Sequence, residues 1–119
     1  MSALQLLLVL ACVALIACGQ VLFKVVALLS TASAHPWSDP KTLSIGIASL
    51  ALYGFATLLW IWLLRSVPLA KAYPFMALSF VLVPAAGILF FDERVTGMYG
   101  IGLGLIVLGV LLIARYGQG

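Results

Sequence analysis

The sequence predicts an all-α membrane protein of four transmembrane helices, and three observations carry that prediction. Hydrophobic residues make up 66% of the 119 residues. Charged residues make up 8%, against about a quarter in a soluble domain. The apolar residues gather in four runs, at about 3–29, 43–64, 69–91 and 96–114. A hydrocarbon core about 30 Å thick is crossed by about 20 helical residues at 1.5 Å rise, so each run is long enough to span. The links are short, which makes consecutive helices antiparallel neighbours in a single four-helix domain.

The first run contains Lys24, Gln20 and both cysteines, Cys12 and Cys18. No CxxC or Cys–His spacing accompanies them, so they read as small membrane-buried residues and not as metal ligands or redox groups. Ala32-Ser33-Ala34 has the form of a signal-peptide cleavage site. The residues ahead of the run, Met1-Ser2-Ala3, carry no basic side chain, and the run is too long for a signal, so it is expected to remain a span. The second run ends with Trp60 and Trp62, where an aromatic belt meets the interface.

The third run opens with Val67-Pro68-Leu69-Ala70-Lys71-Ala72-Tyr73-Pro74-Phe75. Pro68 suits the first turn, where no proline N–H is needed. Pro74 lies deeper, removes a backbone hydrogen bond and predicts a kink, and Pro84 predicts a second break in the same helix. The run closes on Phe91-Asp92-Glu93-Arg94. The fourth run is glycine-rich: Gly100 and Gly104 form GxxxG, while Gly102 and Gly109 stand seven apart on nearly one face. Small residues let membrane helices approach closely. Two glycine faces therefore predict packing within the monomer on one side and dimerisation on the other.

Charge excludes several functions. The net charge of +3 comes from six basic residues scattered along the chain, with no basic run for nucleic acid or calmodulin. With four spans, Arg65, Lys71 and Arg115 share one side against Lys41 and Arg94, and Lys24 evens the count, so the positive-inside rule leaves the orientation open. No nucleophile, base and orienting group occur together, and the single histidine, His35, stands alone in a loop. The sequence implies no enzyme, no metal and no cofactor. Four short-linked helices enclose little volume, so a hydrophilic pathway is expected between two chains, as a homodimer or with a similar four-helix chain.

Three clusters are candidates for a site. Lys24 in a span costs about 2.5–3.5 kcal/mol at the membrane centre. Either it snorkels over the five residues, about 7 Å, to the end of its run, or it shares a polar face with Gln20, four residues earlier, suited to an anionic or hydroxyl-rich ligand. Arg65, Lys71 and Tyr73 form the second cluster, with an interfacial anchor as the other reading of Tyr73. Glu93 is the third. It is either a solvated loop residue paired locally with Arg94, or it points inward to meet a substrate amine or the lysines of the first and third helices.

Val67-Pro68-Leu69-Ala70-Lys71-Ala72-Tyr73-Pro74, then Phe90-Phe91-Asp92-Glu93-Arg94-Val95, then Gly102-Leu103-Gly104-Leu105-Ile106-Val107-Leu108-Gly109-Val110 resemble the four-helix members of the drug/metabolite transporter superfamily. Their order and spacing match over nearly the whole chain, which implies a small multidrug resistance-like fold. The proton-coupled exporters of that group depend on a glutamate in the first helix. The matching place falls at or near Ile16, and this first helix has no acidic residue. The second branch, the flippase subunits that move aminoarabinose-phosphoundecaprenol across the bacterial inner membrane, is similar in more detail: Gly19, Gln20 and Lys24, then Val67, Pro68, Ala72, Tyr73 and Pro74, then Glu93. The loop from Ser30 to Thr42, with Pro36-Trp37, is longer than theirs.

The resemblance implies a multi-pass inner-membrane subunit that translocates a polyprenyl-phosphate-linked sugar, in a homodimer or heterodimer. On that basis Lys24, Arg65 and Lys71 are candidates for the phosphate, Gln20 and Tyr73 for sugar hydroxyls, and Glu93 for an amino sugar's ammonium. Lys24 lies towards one membrane face, and Arg65 and Lys71 towards the other. The charges therefore make two successive stations in one subunit or meet across an antiparallel dimer. A small multidrug or metabolite exporter and a non-transporting membrane assembly subunit are the other readings.

Overall fold

The computed structural model describes residues 1–116, and those residues contain helices and turns but no strand. Four helical segments are long and apolar enough to cross a membrane: Ala3–Ala32, Pro40–Leu64, Leu69–Phe91 and Gly97–Tyr116. The first is helix α1 and the second α2. The third is composite, with α3 (Leu69–Ala72), a 3-10 segment (Tyr73–Leu78) and α4 (Ser79–Phe91). The fourth is α5.

Capping explains where the helices begin. The Ser2 hydroxyl accepts from the Gln5 N–H at 3.1 Å, and the Gln5 side-chain oxygen accepts from the Ser2 N–H at 2.9 Å, closing a capping box. The Gln5 amide nitrogen also donates to the Ser66 hydroxyl at 3.1 Å. One side chain thus starts α1 and ties it to the link between the second and third spans. Helix α2 starts at Pro40, ahead of its apolar run at 43, because Asp39 accepts from the Lys41 N–H at 3.1 Å and Pro40 suits the first turn. Helix α1 runs past 29 to Ala32. There the Ser30 and Thr31 hydroxyls bond back to the carbonyls of Ala27 and Leu28, which keeps polar residues inside the helix.

The two prolines of the third span behave differently. Around Pro74 the chain tightens from α to 3-10 geometry over Tyr73–Leu78, because the proline offers no N–H to the carbonyl four residues back. At Pro84 the expected second break is absent: α4 runs through it unbroken. A missing hydrogen bond at one carbonyl is tolerated where the bonds on either side persist.

The core sits at one end of the molecule. Val9, Cys12 and Val13 of α1 meet Leu63 of α2, then Val67, Ala72 and Phe75, with Val110 of α5. Leu63, Val9 and Cys12 are fully buried. Large apolar side chains such as Ile47, Leu89 and Ile101 stay exposed along the spans, as lipid-facing positions do. The molecule measures 55 × 37 × 17 Å over its Cα atoms. A helix with side chains is about 10–12 Å across, so the bundle is a thin slab.

The glycine-rich helix departs from expectation. Gly100, Gly102, Gly104 and Gly109 do not pack within the monomer: a β-carbon added at any of them would meet nothing within 4 Å. Helix α5 lies along the Tyr73–Leu78 segment and α4 and buries only Val110 among its described residues.

In lipid, helices associate by packing and not by escape from water. Leu63→Ala is therefore expected to act through the cavity it leaves, lowering stability by about 2 kcal/mol, the low end for buried leucine truncation. Thermal unfolding in detergent, followed by circular dichroism, checks this.

Candidate functional site

Beyond the buried cluster α1 and α2 stay packed together, and a groove lies among them, the third span and the start of α5. Its main chamber, about 690 Å³, is lined by Ile16, Gln20, Tyr53, Tyr73, Phe80 and Tyr99, among others. Gln20 and Val83 also border a chamber of about 360 Å³ whose other walls include Lys24, Gly87 and Glu93. A third hollow of about 530 Å³ carries Glu93, Arg94 and Tyr99. The shared residues make these adjoining parts of one groove.

The charged wall is an ion pair. Lys24 Nζ lies 3.6 Å from Glu93 Oε2, and the two side chains are 44% and 48% exposed. Glu93 thus turns to the first helix and not to its neighbour Arg94. Because α1 extends to Ala32, Lys24 stands eight residues from the helix end, about 12 Å at 1.5 Å per residue. Glu93 itself lies just past the end of the third span at Phe91, so the pair sits towards one end of the spans. Such a half-exposed pair is worth about 0–1 kcal/mol in water, and each partner spares the other an unpaired charge beside the apolar spans.

Local backbone geometry delivers Glu93 to that position. Asp92 caps α4 in the left-handed region, with φ 53° and ψ 31°, a conformation that aspartate adopts more readily than most residues. The chain doubles back, the Glu93 N–H donates to the Gly87 carbonyl at 3.3 Å, and the Glu93 carboxylate lies over Gly87. A β-carbon at position 87 would collide with Glu93 Oε1. Glycine is required here for room, since its φ is ordinary.

The neutral wall is aromatic and amide. Gln20 Nε2 donates to the Tyr53 hydroxyl at 3.3 Å. The Tyr53 ring stacks on Phe23 with centroids 5.4 Å apart. A β-carbon at Gly19 would approach Tyr53 Cδ2 to 2.8 Å, so glycine at 19 admits the ring. Tyr73 is 62% exposed in the groove and meets Trp60 edge-on at 6.5 Å.

The predicted residues therefore divide. Gln20, Lys24, Tyr73 and Glu93 line the groove, as do Pro74 and Pro84. Arg65 is exposed at the end of α2 and Lys71 half-buried in α3. The Gln5–Ser66 hydrogen bond places that link beside the start of α1. Position 5 lies nineteen residues before Lys24, about 28 Å along the helix. Tyr53, Tyr99 and Gly87 were not legible as site residues. Tyr53 offered one weak signal, a hydroxyl in mid-span; for Gly87 there was none.

The family model of the EamA-like transporter family matches residues 1–115. This chain belongs to the EamA-like transporter family. Among the relatives of this EamA-like chain, a probable 4-amino-4-deoxy-L-arabinose-phosphoundecaprenol flippase subunit ArnE of Hamiltonella defensa is 34% identical over 85 residues, covering 68% of this chain and 76% of the relative. The protein of the same description from Yersinia pseudotuberculosis is 35% identical over 91 residues, 69% of this chain and 77% of the relative. The one from Aeromonas hydrophila reaches 43% over 67 residues, 56% and 59% of the two chains. No solved structure matches. The EamA-like chain is thus a multi-pass membrane protein of a transporter family.

Two substitutions test how the groove is held open. Gly87→Ala should lower stability in detergent by about 1–3 kcal/mol through overpacking, and by less in a Glu93→Gln background, where the side chain is free to leave; a double-mutant cycle on thermal unfolding reads the difference. Gly19→Ala should displace Tyr53, which fluorescence of a tryptophan placed at Phe23 (F23W) reports as a shift absent in the parent.

Proposed function

We propose that the chain is one subunit of a flippase of the bacterial inner membrane that carries a polyprenyl-phosphate-linked amino sugar, such as 4-amino-4-deoxy-L-arabinose-phosphoundecaprenol, between leaflets. The observation that carries the reading is the meeting of one cation, one carboxylate, an amide and tyrosine hydroxyls on the wall of a groove open along a membrane span. The curated relatives bearing that flippase description supply the substrate class.

The chemistry follows from what such a lipid needs. Its polyprenyl tail is at home in hydrocarbon, and only the head group must be kept from it. Lys24 offers the phosphate a fixed positive charge, and attraction strengthens as water is withdrawn. Gln20, Tyr53 and Tyr73 offer hydrogen-bond partners to sugar hydroxyls. Arg65 and Lys71, about 28 Å from Lys24 by helix length, make a second phosphate station at the opposite face. The 3-10 segment around Pro74 is the element that bends to pass the head group between stations.

A slab 17 Å thick leaves the groove without an outer wall, so a second four-helix chain, identical or similar, closes it. Helix α5 offers that chain two open glycine faces, Gly100 with Gly104 and Gly102 with Gly109. An exporter of drug cations fits less well: its groove needs free carboxylates, and the one carboxylate on this wall is paired with Lys24.

Lys24→Ala, Lys71→Ala and Glu93→Ala, each assayed for translocation of labelled lipid in vesicles, test the proposal. Lys24→Ala is expected to slow flipping by about tenfold or more, the effect of losing one charge-assisted hydrogen bond. Folded variants that all flip like the parent would overturn the groove mechanism, and a folded parent that moves no lipid would instead support a non-transporting assembly subunit.

A further inference from the structure

We propose that the Lys24–Glu93 ion pair is an internal substitute for a zwitterionic head group, exchanged on binding for the phosphate and the ammonium of an amino-sugar phosphate lipid. The inference rests on the flippase reading and adds the device by which the groove selects among lipid-linked sugars.

Three features of the pair support exchange. Both side chains border the same 360 Å³ chamber, and each is about half exposed, so an incoming head group reaches them without dismantling the core. At 3.6 Å the contact is longer than a tight charge-assisted hydrogen bond, which lies near 2.7–2.9 Å. It holds the charges together but is readily displaced by better geometry. The Glu93 carboxylate rests over a glycine, so no side chain at position 87 blocks its swing away from Lys24. Gln20, which borders both this chamber and the main one, lies beside the exchange and offers its amide to the ring between the two charges.

Selectivity then follows from charge conservation. A lipid that carries phosphate alone takes Lys24 and leaves Glu93 without its counter-charge, beside the phosphate it would repel. A lipid that also carries an ammonium returns a partner to Glu93, so every charge present before binding is paired after it. The groove therefore prefers a free amino sugar over the same sugar with its nitrogen acylated, although the two differ little in shape near the phosphate. The pair also keeps the empty groove closed to simple anions, which would have to break it without replacing it.

The test is binding of two probes, 4-amino-4-deoxy-arabinose-phosphoundecaprenol and its N-acetylated derivative, to the full chain as it purifies from its own membranes into nanodiscs. The parent is expected to favour the amino lipid by about tenfold, the measure of one charge-assisted contact. Glu93→Gln should bring the ratio to within about twofold of unity, chiefly because freed Lys24 binds the acetylated lipid more tightly than in the parent. Lys24→Gln should weaken both lipids alike and leave the preference in place. A parent that binds both lipids equally, or a Glu93→Gln variant that keeps the parent's preference, overturns the exchange while leaving the flippase reading intact. A parent that binds neither lipid overturns the flippase reading itself.

Discussion

Lys24 and Glu93 face each other across the groove, the lysine on the first helix and the glutamate just past the end of the third span. Each gives the other a partner of opposite charge beside spans that are otherwise apolar. Together they fix the approach of the first helix to the turn that follows the third span, and hence the mouth of the groove. The pairing depends on three small decisions in the backbone: a left-handed Asp92, a hydrogen bond from the Glu93 N–H to the Gly87 carbonyl, and the missing side chain of Gly87.

The rest of the molecule distributes rigidity around that mouth. At the other end, Val9, Cys12, Val13, Leu63, Val67 and Phe75 form the one buried cluster among the described residues, and the Gln5 side chain staples the start of α1 to the Ser66 link. The groove opens where this packing stops, between Ile16 and Lys24 of α1 and the aromatic residues opposite. The 3-10 segment around Pro74 joins the two regions: Phe75 is buried in the cluster, while Tyr73, Pro74 and Met76 line the groove. The fourth span stands apart, with its glycines turned to open space. A helix so smooth along one side is an unfinished packing surface in a bilayer, where close backbone approach is the main source of helix association.

What was legible in advance divides by how local its cause is. Apolar runs marked the spans but not their caps: Ser2 with Gln5 and Asp39 with Pro40 fix helix starts that hydropathy alone placed only roughly, and at Pro74 the expected kink takes the form of a 3-10 segment. Pro84 carried the same local signal and gave no break, because the surrounding hydrogen bonds absorbed the loss. The glycines of the fourth helix suggested packing within the monomer on one side, but periodicity says nothing about which neighbour meets a face, and none of the described residues meets these glycines. Tyr53 lies thirty-three residues from Gln20 and Gly87 sixty-three from Lys24; no spacing rule joins either pair.

By itself the sequence determined the class of protein: four apolar spans, their approximate limits, the absence of a catalytic constellation, and a lysine in the first apolar run that either snorkels or shares a polar face with Gln20. Each of these follows from composition or from contacts within a turn or two of helix, which a linear reading captures. Only the tertiary structure decided that Glu93 pairs with Lys24 and not with its neighbour Arg94, that Lys24 lies about 12 Å from its helix end, and that Tyr53 completes the amide wall. Those outcomes depend on how long helices cross and where the groove opens. That is set by side-chain packing summed over the bundle, and no single stretch of the chain encodes it.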